Sequence, residues 1–125
     1  MKIKMVSIPV LDPIMAFKQY TEVLGFDEFM YDPKGQLAIV VSPDDPKGTA
    51  LLLEPNTHEL SENYRAGLKK EKIPAITFGV DDIKAEYIRL VNLDIQFIKE
   101  PTLMAWGWEA IFDDNCGNYI QLIQV

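Results

Sequence analysis

DDNCGNYIQLIQV, Asp113 to Val125, pairs a turn with a strand and sets the reading of the whole chain. Asp and Asn side chains bond turn backbone, and Gly117 can take the positive φ that other residues avoid. The strand that follows alternates apolar and polar residues. The same message stands earlier in the chain as DDPKGTALLLEP, Asp44 to Pro55. Sixty-nine positions separate Asp44 from Asp113, Gly48 from Gly117 and Leu53 from Leu122, and the same offset puts Leu52 in register with Gln121.

Working outward from this pair, each half reads β-α-β-β-β. Lys2 to Val10 is a strand with a missing ladder donor at Pro9. Asp12-Pro13 starts a helix whose apolar face is Ile14, Phe17, Tyr20, Thr21 and Leu24, and Gly25 ends it. Strands follow at Phe26 to Tyr31, Leu37 to Val41 and Thr49 to Glu54. In the second half Ala75 to Val80 is a strand, and Asp81 or Asp82 caps a helix carrying Ile83, Tyr87, Leu90 and Val91. Strands then read at Ile95 to Ile98, Met104 to Phe112 and Asn118 to Val125. An offset of seventy aligns Ile8 with Phe78, Val10 with Val80, Asp12 with Asp82 and Phe17 with Tyr87. The pattern is an internal duplication. It predicts one domain of two modules, 1–55 and 74–125, joined by a connector helix within 56–73. Thr57 is the expected cap of that helix, with Leu60, Tyr64 and Leu68 on one stripe.

Composition narrows the function. A net charge of −7 opposes a phosphate-backbone partner and an electrostatically held membrane surface. MKIKMVSIPVLDP has no apolar run long enough for a leader or a span. The single cysteine, Cys116, excludes an intrachain disulfide, and its place in a turn beside Asp114 does not favour a thiolate. The expectation is a cytoplasmic protein with no nucleic-acid or membrane partner.

VLDPIMAFKQYTEVLGF (Val10 to Phe26), FGVDDIKAEY (Phe78 to Tyr87) and FDDNCGNYIQLIQ (Phe112 to Gln124) together resemble the vicinal oxygen chelate superfamily. Glyoxalase I, extradiol dioxygenases, fosfomycin-resistance enzymes and bleomycin-resistance proteins belong to it. The resemblance implies an α+β fold of tandem βαβββ modules forming a half-open eight-stranded barrel with helices outside, often as a homodimer that completes the cavity.

It also implies four slots where family enzymes hold a divalent metal with His and Glu, leaving open positions for substrate oxygens. In this chain the slots fall on Met5, Leu52, Ala75 and Gln121, none of which is the expected ligand. The corresponding expectation is a cavity with no metal ligands and no cofactor, lined by those four residues. Gln121 offers a neutral amide where the enzymes have Glu, and Tyr119 shares its face. Trp106 and Trp108 stand two apart on one predicted strand, so they either stack on a planar ligand or pack as core. Glu109 then falls opposite them, in solvent if the pair faces inward. The first reading is a metal-independent binder of a small, aromatic or antibiotic-like molecule. A second makes Glu54 the general base of a diverged lyase or isomerase, with Gln121 and Tyr119 orienting substrate. A third retains a divalent metal in a glyoxalase or dioxygenase with relocated ligands, such as Glu54 and His58.

Overall fold

The computed structural model describes residues 1–125, and the chain forms two compact units, Met1–Tyr64 and Arg65–Val125. In the first unit β1 (Met5–Val10), β2 (Asp27–Asp32), β3 (Leu37–Val41) and β4 (Ala50–Pro55) make one sheet in the order β1-β4-β3-β2. β1 lies parallel to β4, and the other pairs are antiparallel. Helix α1 (Pro13–Lys18) supplies the crossover between β1 and β2 and continues as a π-helical turn over Gln19–Val23. Asp12 caps it as expected: Oδ1 accepts from the backbone N–H of Ile14 at 2.9 Å and of Met15 at 3.4 Å.

The buried side of α1 differs from the predicted stripe. Pro13, Ala16 and Tyr20 are buried while Ile14 is exposed. The small Ala16 lets the helix lie close against β3 and β4. The core of this unit is therefore Ile8, Val10, Ala16, Tyr20, Ala38, Val40, Leu51 and Leu53. Strand alternation sends Ile39, Val41 and Ala50 to the other face of the sheet, where they are also buried, with Leu37 and Leu52 packed against them.

The second unit repeats the plan with β5 (Ile76–Gly79), β6 (Phe97–Met104), β7 (Gly107–Asp113) and β8 (Tyr119–Gln124) in the order β5-β8-β7-β6. β5 is parallel to β8, as β1 is to β4. The duplication holds at the level of register: Ser7 lies opposite Leu52 in one sheet and Thr77 opposite Gln121 in the other. Helix α3 (Ile83–Asn92) is capped by Asp82, whose Oδ1 accepts from Ala85 N–H at 3.1 Å. Ile83 and Leu90 enter a core with Ile95, Ala110, Phe112, Ile120 and Leu122. Strand β6 departs from the expected Ile95–Ile98, running on through Pro101. Proline is tolerated there because β6 is a sheet edge and its register slips between Lys99 and Thr102.

Helix α2 (Glu59–Lys70) docks by its polar side. Its cap is His58 rather than Thr57: the ring Nδ1 accepts from Leu60 N–H at 3.0 Å. Leu60 and Tyr64 of the predicted stripe are 73% and 59% exposed. The buried member is Arg65, which donates to the Gly117 carbonyl at 2.8 Å.

That carbonyl belongs to the turn Asp113–Asn118, which closes on Asp114. The Asp114 side chain is buried, and its Oδ1 accepts from Cys116 N–H at 2.7 Å and Asn118 N–H at 3.0 Å. Asn115 and Gly117 supply the positive φ, at 61° and 99°. The corresponding Asp45 of the first unit is exposed. Asp114→Ala leaves two buried donors unsatisfied and should cost about 3 kcal/mol in urea unfolding. Asp45→Ala should cost less than about 0.5 kcal/mol. Equal losses would show that the second turn is not the anchoring one.

Candidate functional site

Because Ala110 and Phe112 of β7 and Ile120 and Leu122 of β8 are buried in the α3-side core, the residues between them face the other way. Tyr119, Gln121 and Ile123 of β8 and Glu109, Ile111 and Asp113 of β7 thus share the helix-free face. Thr77 joins from β5 opposite Gln121, and Lys99 joins from β6 opposite Ile111. A polar chain crosses all four strands of this face. The Thr77 hydroxyl donates to Gln121 Oε1 at 2.6 Å. Gln121 Nε2 donates to Glu109 Oε2, and the Lys99 ammonium donates to Glu109 Oε1. Lys99 Nζ also lies 3.8 Å from the sulfur of Met104.

The Glu109 side chain is 13% exposed. Its hydrogen bond from Lys99 holds the carboxyl below the ordinary carboxylate range. Burial pushes the other way, and the Gln121 amide and the Lys99 charge add to the lowering. At the far end of the face Lys69 of α2 pairs with Asp113 at 2.7 Å and sits 4.3 Å from the centroid of the Tyr119 ring. Gln121 and Tyr119 therefore share a face, as the alternation of β8 requires.

The tryptophans do not share one. Trp106 lies in the hairpin between β6 and β7 and is 47% exposed, while Trp108 is on β7. Gly107 between them has φ +146°, and a Cβ there would stand 2.6 Å from the Gln124 carbonyl oxygen, so the chain turns tightly at this point. Trp108 is on the α3 face with the Lys84 ammonium 4.4 Å from its ring centroid. It lines a recess of about 270 Å³ beside Asp81, Asp82 and Gln124. An indole stack on a single strand face is thus corrected. Glu109 is the residue that sequence reasoning leaves out of the candidate site: it is expected in solvent only if the tryptophans face inward, and Trp108 instead faces α3 while Glu109 meets Gln121. The signal was the alternation itself: once Phe112 and Ala110 are core, Glu109 must point with Gln121.

In the first unit Met5 is exposed and lines a hollow of about 530 Å³. Leu52 packs on the Ile39–Val41–Ala50 cluster. Glu54 is half-buried at the end of β4, opposite Pro9, and lines a recess of about 270 Å³ with Ser7, Leu60, Ser61 and Tyr64. His58 is committed to the α2 cap. Ala75 precedes β5 and donates its N–H to the Tyr119 carbonyl at 2.8 Å, so the side chain next to Gln121 is that of Thr77. Likewise Met5 lies opposite Ala50, and the residue opposite Leu52 is Ser7.

A divalent metal is poorly served by these positions. Hydroxyl, amide, thioether and alkyl groups replace the imidazole and carboxylate donors such an ion needs. No group of three or more His, Cys, Asp or Glu side chains is placed to hold one. The two carboxylates on Gln121's side, Glu109 and Asp113, already have the Lys99 and Lys69 ammonium groups as their counter-ions.

The depressed Glu109 carboxyl has a consequence for acid stability. A group whose folded pKa lies below its unfolded one stabilises the fold above the unfolded value, about pH 4.3, and loses that contribution as pH falls through the folded one. Unfolding free energy should therefore fall more steeply between about pH 5 and pH 3 in the native protein than in Glu109→Gln. Parallel curves from urea titrations would contradict the pairing.

Comparison with known proteins agrees with this architecture. The model of the Glyoxalase/Bleomycin resistance protein/Dioxygenase superfamily matches residues 2–122. The uncharacterized protein YurT of Bacillus subtilis (strain 168) is 47% identical over 126 residues, covering 99% of each chain. Among solved structures, UcmS2 is 28% identical with a TM-score of 0.78, over 98% of this chain and 97% of that one. TnmS3, described as an antibiotic binding protein from Streptomyces sp. CB03234, is 25% identical with a TM-score of 0.78, over 99% and 95%. No helix is long and apolar enough to cross a membrane. With the family model spanning nearly the whole chain and the βαβββ unit present twice, the chain belongs to the glyoxalase/bleomycin resistance protein/dioxygenase superfamily.

Proposed function

We propose that the chain is a metal-independent binding protein that holds a small organic molecule against the helix-free faces of its sheets. The observation that carries this reading is the Thr77–Gln121–Glu109–Lys99 chain. Where family enzymes have a metal-binding glutamate, Gln121 uses its carbonyl and its amide within the protein, and the neighbouring carboxylate is neutralised by an ammonium. Tyr119, Ile111 and Ile123 give the same face aromatic and apolar surface for a ligand. The likeness to TnmS3 supports an antibiotic-like ligand. The family's habit of completing the site with a second chain supports a homodimer, and the single cysteine supports a cytoplasmic setting.

A lyase built on Glu54 draws less support. Glu54 lies half-buried at the end of β4, beside Ser7, Leu60, Ser61 and Tyr64. Glu109, the carboxylate that does meet Gln121, is held below the ordinary range and is a weak general base for that reason.

The test is a thermal-shift screen of aromatic antibiotics against protein purified without chelator, repeated after EDTA treatment. Bound ligands should give the same stabilisation in both, with affinities within about twofold. Stabilisation that disappears with EDTA and returns with about one equivalent of nickel, zinc, manganese or iron(II) would overturn the reading.

A further inference from the structure

The hollow of about 530 Å³ in the first unit is large enough for a drug-sized molecule, for which pockets run from about 300 to 1,000 Å³. Its surface is mainly apolar and includes Met5, Phe29, Pro46 and Ala50. Ala50 also belongs to the buried Ile39–Val41 cluster, so the hollow opens from a packed apolar floor. Phe29 reaches it from a β-bulge: the β2–β3 register slips between Glu28 and Met30, leaving Phe29 without a cross-strand partner. Bulges of this kind re-aim a side chain away from the regular alternation.

The charged groups lining the hollow run against the net charge of the chain, which is −7. They are the two lysines Lys4 and Lys47, and neither is in an ion pair. The backbone holds the two segments together, since Ala50 N–H donates to the Lys4 carbonyl at 2.9 Å and the Thr49 hydroxyl donates to the Ile3 carbonyl at 2.9 Å. The acidic residues of the Lys47 turn, Asp44 and Asp45, do not line the hollow. Asp45 folds against Gly48 instead, with Oδ2 2.0 Å from where a Cβ on Gly48 would stand.

We infer that this hollow takes a small organic anion with an apolar, aromatic body. Phe29, Met5 and Pro46 contact the body, and the Lys4 and Lys47 ammonium groups hold the carboxylate, sulfonate or phenolate. The inference rests on the metal-independent binding reading and specifies the ligand class for the first unit. It assigns Lys4, Lys47 and Phe29 to the site.

Anilinonaphthalene sulfonate is a suitable probe, with phenylnaphthylamine as its uncharged counterpart. Both are titrated by fluorescence, in EDTA, against native protein, Lys4→Gln/Lys47→Gln and Phe29→Ala. Circular dichroism melting curves confirm that each variant is folded, since the sulfonate also lights up molten states. Native protein should bind the sulfonate saturably at one site. The double lysine variant should weaken it about tenfold while changing the uncharged probe by less than about twofold. Phe29→Ala should weaken both. No saturable binding to native protein, unchanged sulfonate affinity in the lysine variant, or equal weakening of the two probes would each overturn the assignment. Sulfonate binding that falls as protein concentration rises would mean that a second copy of the chain fills the hollow, and would overturn it too. Failure of the underlying reading looks different: native binding would vanish in EDTA and return with a divalent metal.

Discussion

A carboxylate set into the middle of a sheet face must meet a cation, and in this protein the cation is Lys99. Removing Glu109 largely from water is costly unless its charge is answered and its oxygens accept hydrogen bonds. Lys99 answers the charge, Gln121 supplies the second hydrogen bond, and Thr77 fixes the orientation of the Gln121 amide. Each partner depends on register. The parallel pairing of β5 with β8 puts Thr77 beside Gln121, and the antiparallel pairing of β7 with β8 brings Glu109 within one row of it. The first strand of the unit has to return alongside the last for this to happen, and the βαβββ order provides that.

The duplicated scaffold carries different chemistry in its two copies. Where the second unit has Thr77 and Gln121 side by side, the first has Ser7 and Leu52. Leu52 lies on Ile39, Val41 and Ala50, so the helix-free face of the first unit is apolar. That of the second is a hydrogen-bonded chain flanked by Tyr119 and Ile111. The turns diverge in parallel. Asp114 is buried and accepts two backbone hydrogen bonds, while Asp45 is exposed. The second turn also receives Arg65 of α2 on its Gly117 carbonyl, a tie for which the first unit offers no matching arginine.

Much of the fold was readable from residues because the signals were local. Asp12-Pro13 and Asp82 start helices at the expected places, and the turn with Gly117 precedes β8 as read. The misreadings came where tertiary context decides. Pro101 looked like a strand end, yet an edge strand with a register slip accommodates it. Thr57 is the better intrinsic cap, but the helix begins one residue later and the His58 ring takes the role. Leu60 and Tyr64 have helical spacing, and the helix nevertheless docks through Arg65 and Lys69. For the site, the shared face of Tyr119 and Gln121 could be read from strand alternation, whereas the residue beside Gln121 is Thr77 rather than Ala75. The Lys99–Glu109 pair could not, since it depends on a β6–β7 hairpin turning at Ala105-Trp106, where the sequence reads as continuous strand.

The claim at the centre of this account is that an internal ammonium, not a metal ion, is the counter-charge on the Gln121 face. Its most direct test is a carbon-13 NMR titration of the Glu109 carboxyl, with and without added divalent manganese. The account predicts a titration below the ordinary carboxylate range, with Lys99→Met moving it upward and manganese leaving the resonance sharp. A carboxyl that titrates at or above the ordinary range, or whose signal manganese broadens at stoichiometric concentration, would contradict it.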